Sequence, residues 1–204
     1  LNTRIPTKII SDNQSIVEQE LIKFIQLKNN LYMKNIDEIR CLTIDFNQPI
    51  RFYLSIDFGG KVVSNVYKVL NEVIRKMGFE IFCDENDELT YMDDFKRTES
   101  IKKFKPHITI NINRIRNEFL HDDMFNFIWF QDPTKMLYDD TVFHIRERDY
   151  FFYLTSKLKN VLLNKNIPTD KMFLQHFCTN TNIFSNLHLN RKNKVIYVGN
   201  NYEF

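Results

Sequence analysis

A chain of 204 residues is long enough for one large α/β domain, or for one domain and the beginning of a second. Its formal net charge of +2 gives no electrostatic case for nucleic-acid binding, which would need a concentrated basic face, and no apolar run approaches the roughly 20 residues of a membrane span. Cys41, Cys83 and Cys178 stand apart, with no CxxC pair, so the composition points to a reduced, cytoplasmic protein rather than a disulfide framework.

No signal peptide is visible, and a start at Leu1 reads as a processed or excised piece whose partner domain is expected to lie elsewhere. Residues 14–34 place Ile16, Val17, Leu21, Phe24, Ile25 and Leu31 at near-helical spacing behind Ser11 or Asp12 as N-cap. Ile39–Phe46 alternates like a strand until Asn47-Gln48-Pro49 breaks it. A stronger strand, Ile50–Ile56, then leads through Gly59-Gly60-Lys61 into a helix over Val62–Met77, with Gly78 as its terminator.

Strand Phe79–Cys83 follows, then an acidic stretch from Asp84 to Asp94 that reads as a solvated excursion and lacks the spacing of a calcium loop. A short helix around Ile101 and Phe104 precedes strand His107–Ile112, and a helical turn is expected near Ile115–Leu120. Phe125–Phe130 is apolar but too short for a helix, and it stops abruptly at Gln131-Asp132-Pro133. A central strand buried on both faces reads this way.

Beyond Pro133, the Thr-Val-Phe-His-Ile run just before Arg146 and the segment Tyr150–Leu154 are strand candidates. A helix over Ser156–Asn164 turns Leu158, Val161 and Leu162 inward and is closed by Pro168. Strands Met172–Phe177 and Lys194–Val198 complete the chain. Strands recurring every 20–30 residues with helices between them are the mark of βαβ units. The expected fold is therefore α/β, Rossmann-like, with a mostly parallel sheet flanked by helices and an extra N-terminal helix. Residues 1–46 form the extension and 47–190 the Rossmann-like domain, while 191–204 are a linker and first strand of a further domain.

Common phosphate, hydrolase and metalloprotease motifs are absent, the five His are scattered, and no Asp-x-Asp occurs, so nothing supports a metal. Gly59, Gly60 and Lys61 can bring backbone N–H groups to a phosphate at a helix start, or simply make a tight turn. Asn111, Asn113 and Arg114 end a strand, where they can bind a hydroxyl-rich ligand or cap the loop. In open α/β sheets, ligands sit just past the carboxyl ends of the strands, which makes Gln131 and Asp132 candidates, against a plain Asp-Pro turn. Arg146, Arg148 and Asp149 read as a surface ion-pair cluster, and His176 as a partly buried, satisfied histidine.

Several segments in order carry a resemblance. They are Lys105–Asn111, Phe127–Pro133, Arg148-Asp149-Tyr150 leading to Ser156, Phe173–Cys178 with Asn180 and Asn182-Ile183-Phe184, and Lys194–Asn200. Together they resemble the N-terminal domain of bacterial GT-B glycosyltransferases, in particular the CgeB-like and family 4-like groups. The resemblance spans about residues 50–204 and rests on order rather than on any single diagnostic motif.

It implies an acceptor-binding domain with Gly59-Gly60, Asn111–Arg114 and Gln131-Asp132 facing an interdomain cleft. It also implies a missing C-terminal domain, opened by Gly199 and Asn200, that supplies most contacts to a nucleotide-sugar donor. The acceptor would be a cell-surface glycan, lipid or protein, with peripheral membrane association left open. No cofactor is implied beyond the donor, and transfer would be metal-independent. Asp132, or failing it His176, would act as base in an inverting mechanism. The fragment alone is expected to be nearly inactive. The rival expectation is a non-enzymatic binding module that uses the N-terminal helix for assembly.

Overall fold

A computed structural model describes residues 14–55, 61–84, 94–138 and 144–176. In chain order the elements are α1 (Gln14–Arg40), β1 (Arg51–Ser55), α2 (Lys61–Lys76), β2 (Glu80–Asp84), α3 (Asp94–Phe104), β3 (Ile108–Ile112) and β4 (Phe125–Phe130). A 3-10 turn at Lys135–Tyr138 leads to β5 (Asp149–Tyr153), α4 (Ser156–Asn164), a second 3-10 turn at Thr169–Lys171, and β6 (Met172–Leu174).

The six strands form one sheet in the order β2-β1-β3-β4-β5-β6, and every pairing is parallel. Direction reverses once, between β1 and β3. This is the flavodoxin-like order of a doubly wound sheet, with two strands to the left of the switch instead of the three in the dinucleotide-binding order. At the switch the β1–β3 ladder stops at Leu54 opposite Ile110, whereas β3–β4 runs on to Ile112 opposite Trp129. Pairing is thus lost toward the carboxyl ends, where a crevice belongs.

Strand alternation assigns the two faces. On one, Phe52, Leu54, Ile81, Ile110, Ile112 and Trp129 pack against Tyr67 and Ile74 of α2. On the other, Tyr53 meets Ile36 and Ile39 of α1 and Ile101 of α3, while Ile128, Phe130, Phe151 and Tyr153 meet Leu158 and Leu162 of α4. Two helix ends follow one rule. Gly78 (φ 85) and Asn166 (φ 58) each adopt the left-handed conformation that ends a helix. Behind them, the N–H groups of Phe79 and Ile167 reach back to the carbonyls of Ile74 and Leu162 at 3.2 and 3.3 Å.

Several expectations are corrected. Ile39–Phe46 is not a strand: α1 runs to Arg40, because Ile36 and Ile39 both sit on its buried stripe, and Leu42 and Ile44 reach the same core from irregular backbone. The helical turn near Ile115–Leu120 is a single hydrogen-bonded turn, Leu120 N to Asn117 O at 3.1 Å, in an otherwise irregular segment. Strand Met172–Phe177 is shorter, ending at Leu174. The Thr-Val-Phe-His-Ile run falls partly outside the described residues, and its described end at His144 is irregular. The strand expected at Lys194–Val198 lies wholly outside them.

The Arg146–Asp149 cluster is a correction of another kind, because it is buried. Asp149 is 0% exposed and accepts from the backbone N–H of Arg146 (2.8 Å), from its Nε (3.3 Å) and from Asn117 Nδ2 (2.5 Å). The Arg146 guanidinium also donates to the carbonyls of His121 and Met124. The pair thereby fastens the β3–β4 connection to the start of β5, at the amino edge of the sheet. Only Arg148 stays at the surface, over the Phe125 ring and 3.2 Å from Asp123. At the same edge His107, 1% exposed, accepts from Arg51 N–H at Nδ1 and bonds the Asp45 carbonyl through Nε2.

Candidate functional site

The carboxyl ends of β3 and β4 bring three of the sequence-derived candidates together. Asn113 follows β3 directly at φ 57, a conformation that Asn tolerates better than most residues. Its backbone N–H extends the ladder by one bond to Trp129 O at 2.9 Å. Its side chain then turns to β4. Oδ1 accepts from the backbone N–H groups of Gln131 (2.7 Å) and Asp132 (3.1 Å), and Nδ2 donates to the Asp132 carboxylate at 3.2 Å. One amide therefore satisfies two donors left over where β4 ends, and also orients an exposed carboxylate.

Gln131 is 9% exposed, and its Nε2 is buried without a hydrogen-bond partner; the hydroxyl of Thr134, three residues on, is in the same state. Buried polar atoms are nearly always paired, so an orphaned amide N–H2 at a strand end marks a place where an acceptor fits. Pro133 and the turn closed by Leu137 N to Thr134 O (3.0 Å), with Leu137 fully buried, hold this short segment against the core.

The remaining candidates are placed differently. Asn111 is buried on the helix-covered face, and its Nδ2 donates to Asn126 Oδ1 at 2.8 Å. Asn126 is the one polar residue of β4 and is 0% exposed. It also accepts from the Thr109 hydroxyl and donates to the Ile115 carbonyl, which supports the β3–β4 connection from below. Asn111 thus belongs to a closed internal network, while Arg114 is half-buried on the connection. Lys61 is the first residue of α2, on the other side of the switch, and Gly59 and Gly60 before it lie outside the described residues, as do Gly199 and Asn200. His176 is exposed just past β6, where its carbonyl accepts from Gln175 Nε2.

A second polar cluster joins α1 and α3 to this edge, and sequence reasoning missed it. Asp84, the last residue of β2, is 6% exposed and accepts from Tyr53 Oη (3.0 Å) and Ser100 Oγ (2.6 Å). Asp94, at the start of α3, pairs with Arg97 at 3.3 Å and with Arg116, a second left-handed residue (φ 45) of the β3–β4 connection. Arg97 is 1% exposed, which makes it the bulkiest fully buried side chain. Burial, then the charges of Asp94 and Glu118, push the Tyr32 hydroxyl of α1 up to about 12, against the pull of Arg116. Of the two ends of the acidic stretch, Asp84 is therefore a buried structural anchor, while Asp94 is held by two arginines and still reaches solvent. The rule applied to Asp132, a carboxylate just where a strand stops, would have found Asp84.

Among the described residues no group of three or more His, Cys, Asp or Glu is arranged to hold a metal ion, and no helix is long and apolar enough to cross a membrane. Compared with known protein families, curated proteins and solved structures, the chain matches none.

Proposed function

We propose that this chain is the acceptor-side Rossmann-like domain of a metal-independent glycosyltransferase of the GT-B type. It would transfer a sugar from a nucleotide-sugar donor to a hydroxyl of a glycan, lipid or protein. The observation that carries the reading is the pairing, at the end of one central strand, of an exposed carboxylate oriented by Asn113 with the buried, unpartnered amide of Gln131. A base needs a fixed direction and access to the proton it takes. A hydroxyl-rich acceptor supplies both the proton and a neighbouring oxygen for the orphaned donor.

In this scheme the acceptor hydroxyl gives its proton to Asp132 as its oxygen attacks the anomeric carbon, and the nucleotide leaves with the bonding pair. Gln131 holds an adjacent oxygen of the acceptor. A phosphate at the start of α2, which follows Gly59-Gly60 in sequence, would meet the positive end of the helix. A second domain supplies the rest of the donor site.

The test is NMR on the longest natural form of the protein, with a panel of nucleotide sugars and acceptor glycans. The expected result is acceptor-dependent shifts at the side-chain amides of Asn113 and Gln131, together with transfer activity that Asp132→Asn lowers at least 100-fold, the scale of one general base. A folded protein that binds no member of the panel overturns the reading.

A second reading, a non-enzymatic interaction module, has its own observation. Ile16, Leu21, Ile22, Phe24, Ile25 and Leu27 of α1 are all exposed, and only its last turns pack on the sheet. A protein partner captured through α1, with no sugar bound at Gln131, would favour it.

A further inference from the structure

The two halves of α1 meet different surroundings. From Asn35 onward the helix is anchored: Ile36 and Ile39 enter the core, and Asn35 Nδ2 donates to the Thr98 hydroxyl of α3 at 3.3 Å. One turn and more ahead of that, Lys28 lies over the Phe95 ring, 5.9 Å from its centre. The turns from Gln14 to Leu27 join no core cluster among the described residues, although Leu21, Phe24 and Leu27 are 48%, 54% and 58% exposed. An isolated helix shorter than about 12–15 residues is marginal in water, so this stretch needs a neighbour to hold it.

The sequence gathers its apolar residues on one side. Val17, Leu21, Phe24, Leu27 and Leu31 follow one another at spacings of four and three, and Glu20 and Lys28 are the two charges on the same face. We propose that this face pairs with the same face of a second copy of the chain, the two helices running antiparallel and crossing at Phe24.

In that arrangement each residue meets the one equally far from Phe24 on the other helix. Val17 meets Leu31, Leu21 meets Leu27, and Phe24 meets its own counterpart. Glu20 meets Lys28, and the two-fold axis repeats the contact, so neither charge is left facing an apolar side chain. Charge complementarity selects this occupant and this register. A parallel pair would set Glu20 against Glu20 and Lys28 against Lys28, with the helix dipoles aligned. A slip of about four residues, one turn, sets Phe24 against Lys28 or Glu20 and separates the two charges.

The overlap from Val17 to Leu31 is about 22 Å of helix. Each domain is anchored beyond it, from Asn35, so the two domains lie at opposite ends of the pair. A contact of this size belongs at the small end of specific interfaces, and the dimer is expected to exchange with monomer. This deepens the reading of α1 as an interaction element by naming its partner, and it is independent of the proposed sugar transfer.

Sedimentation equilibrium of the full chain over about 1–100 μM tests it, and a monomer–dimer equilibrium is expected. Glu20→Lys and Lys28→Glu each create two like-charge contacts and are expected to weaken the dimer about tenfold. The double variant Glu20→Lys/Lys28→Glu restores opposite charges in the antiparallel pair and not in a parallel one. It is expected to return to within about threefold of the unaltered protein. Leu27→Glu keeps a good helix former at an exposed position and is expected to leave a monomer with native Trp129 emission. A folded chain that stays monomeric throughout overturns the proposal. So does a dimer that Leu27→Glu leaves intact, or a double variant no stronger than the single ones. A monomer that captures a different protein through α1 also overturns it, while leaving the interaction-module reading in place.

Discussion

The side-chain oxygen of Asn113 lies 2.7 Å from the backbone nitrogen of Gln131, and through this bond the end of β3 shapes the end of β4. Replacement by Ala removes three hydrogen bonds and also places a non-Asn residue at φ 57. At about 1 kcal/mol for each net hydrogen bond, plus about 1 kcal/mol of left-handed strain, Asn113→Ala is expected to cost about 4 kcal/mol in urea unfolding. Asn113→Gly keeps the backbone conformation at ease and is expected to cost visibly less. Equal losses would show that the amide, not the backbone conformation, matters.

Asn126 supports the same connection from inside the protein. With Ala there, Asn111 Nδ2, the Thr109 hydroxyl and the Ile115 carbonyl lose their partner within the core. Asn126→Ala is expected to lower stability by about 3 kcal/mol, and Asn126→Asp by at least as much because it buries a charge. Calorimetry or denaturant titration of both variants checks this. A loss under about 1 kcal/mol would mean that water replaces the network.

The buried Arg146–Asp149 pair behaves as a clasp between β5 and the β3–β4 connection. Removing one partner strands the other charge, so Asp149→Ala is expected to cost about 3–5 kcal/mol and in practice to compromise folding near physiological temperature. Arg148→Ala is the control: that residue sits at the surface, and its loss is expected to cost about 1 kcal/mol or less. Thermal scans of the two variants should differ widely.

Tyr32 sets an alkaline limit. Its hydroxyl is pushed up to about 12 from an ordinary 10, so the fold favours the protonated phenol. Between those values the unfolded chain sheds a proton that the folded chain keeps. Stability is full below pH 10 and falls as pH rises toward 12. In Tyr32→Phe that part of the slope is expected to vanish, and tyrosinate absorbance is expected to lose a step near pH 12. Loss of a step near pH 10 instead would place Tyr32 in open solvent.

Asp132 links stability to function. Its substitution by Asn keeps an acceptor for Asn113 Nδ2 and removes only the charge. Folding is therefore expected to change by less than about 1 kcal/mol while any transfer activity collapses. Parallel loss of both would reduce Asp132 to a capping residue.

Periodicity and punctuation made most of the architecture readable in advance. Apolar runs cut by Gly, Pro and Asn marked all six strands, and their alternation with helices required a parallel sheet. The central strand and its polar end at Gln131-Asp132 were equally plain. What the sequence determined by itself, then, was local: which segments are apolar, and where each must stop.

Tertiary structure decided everything that depends on which face or neighbour a residue meets. Asn111 and Asn113 are two residues apart and chemically identical. Yet one points into a closed core network, while the other, turned by its left-handed backbone, clamps the next strand. Ile39 suits a strand or a helix until α3 and Tyr53 offer it a helical seat. Arg146 and Asp149 look like surface charges until the β3–β4 connection folds over them. Burial and strand order are properties of contacts between distant segments, and a pattern read along one segment carries no record of them.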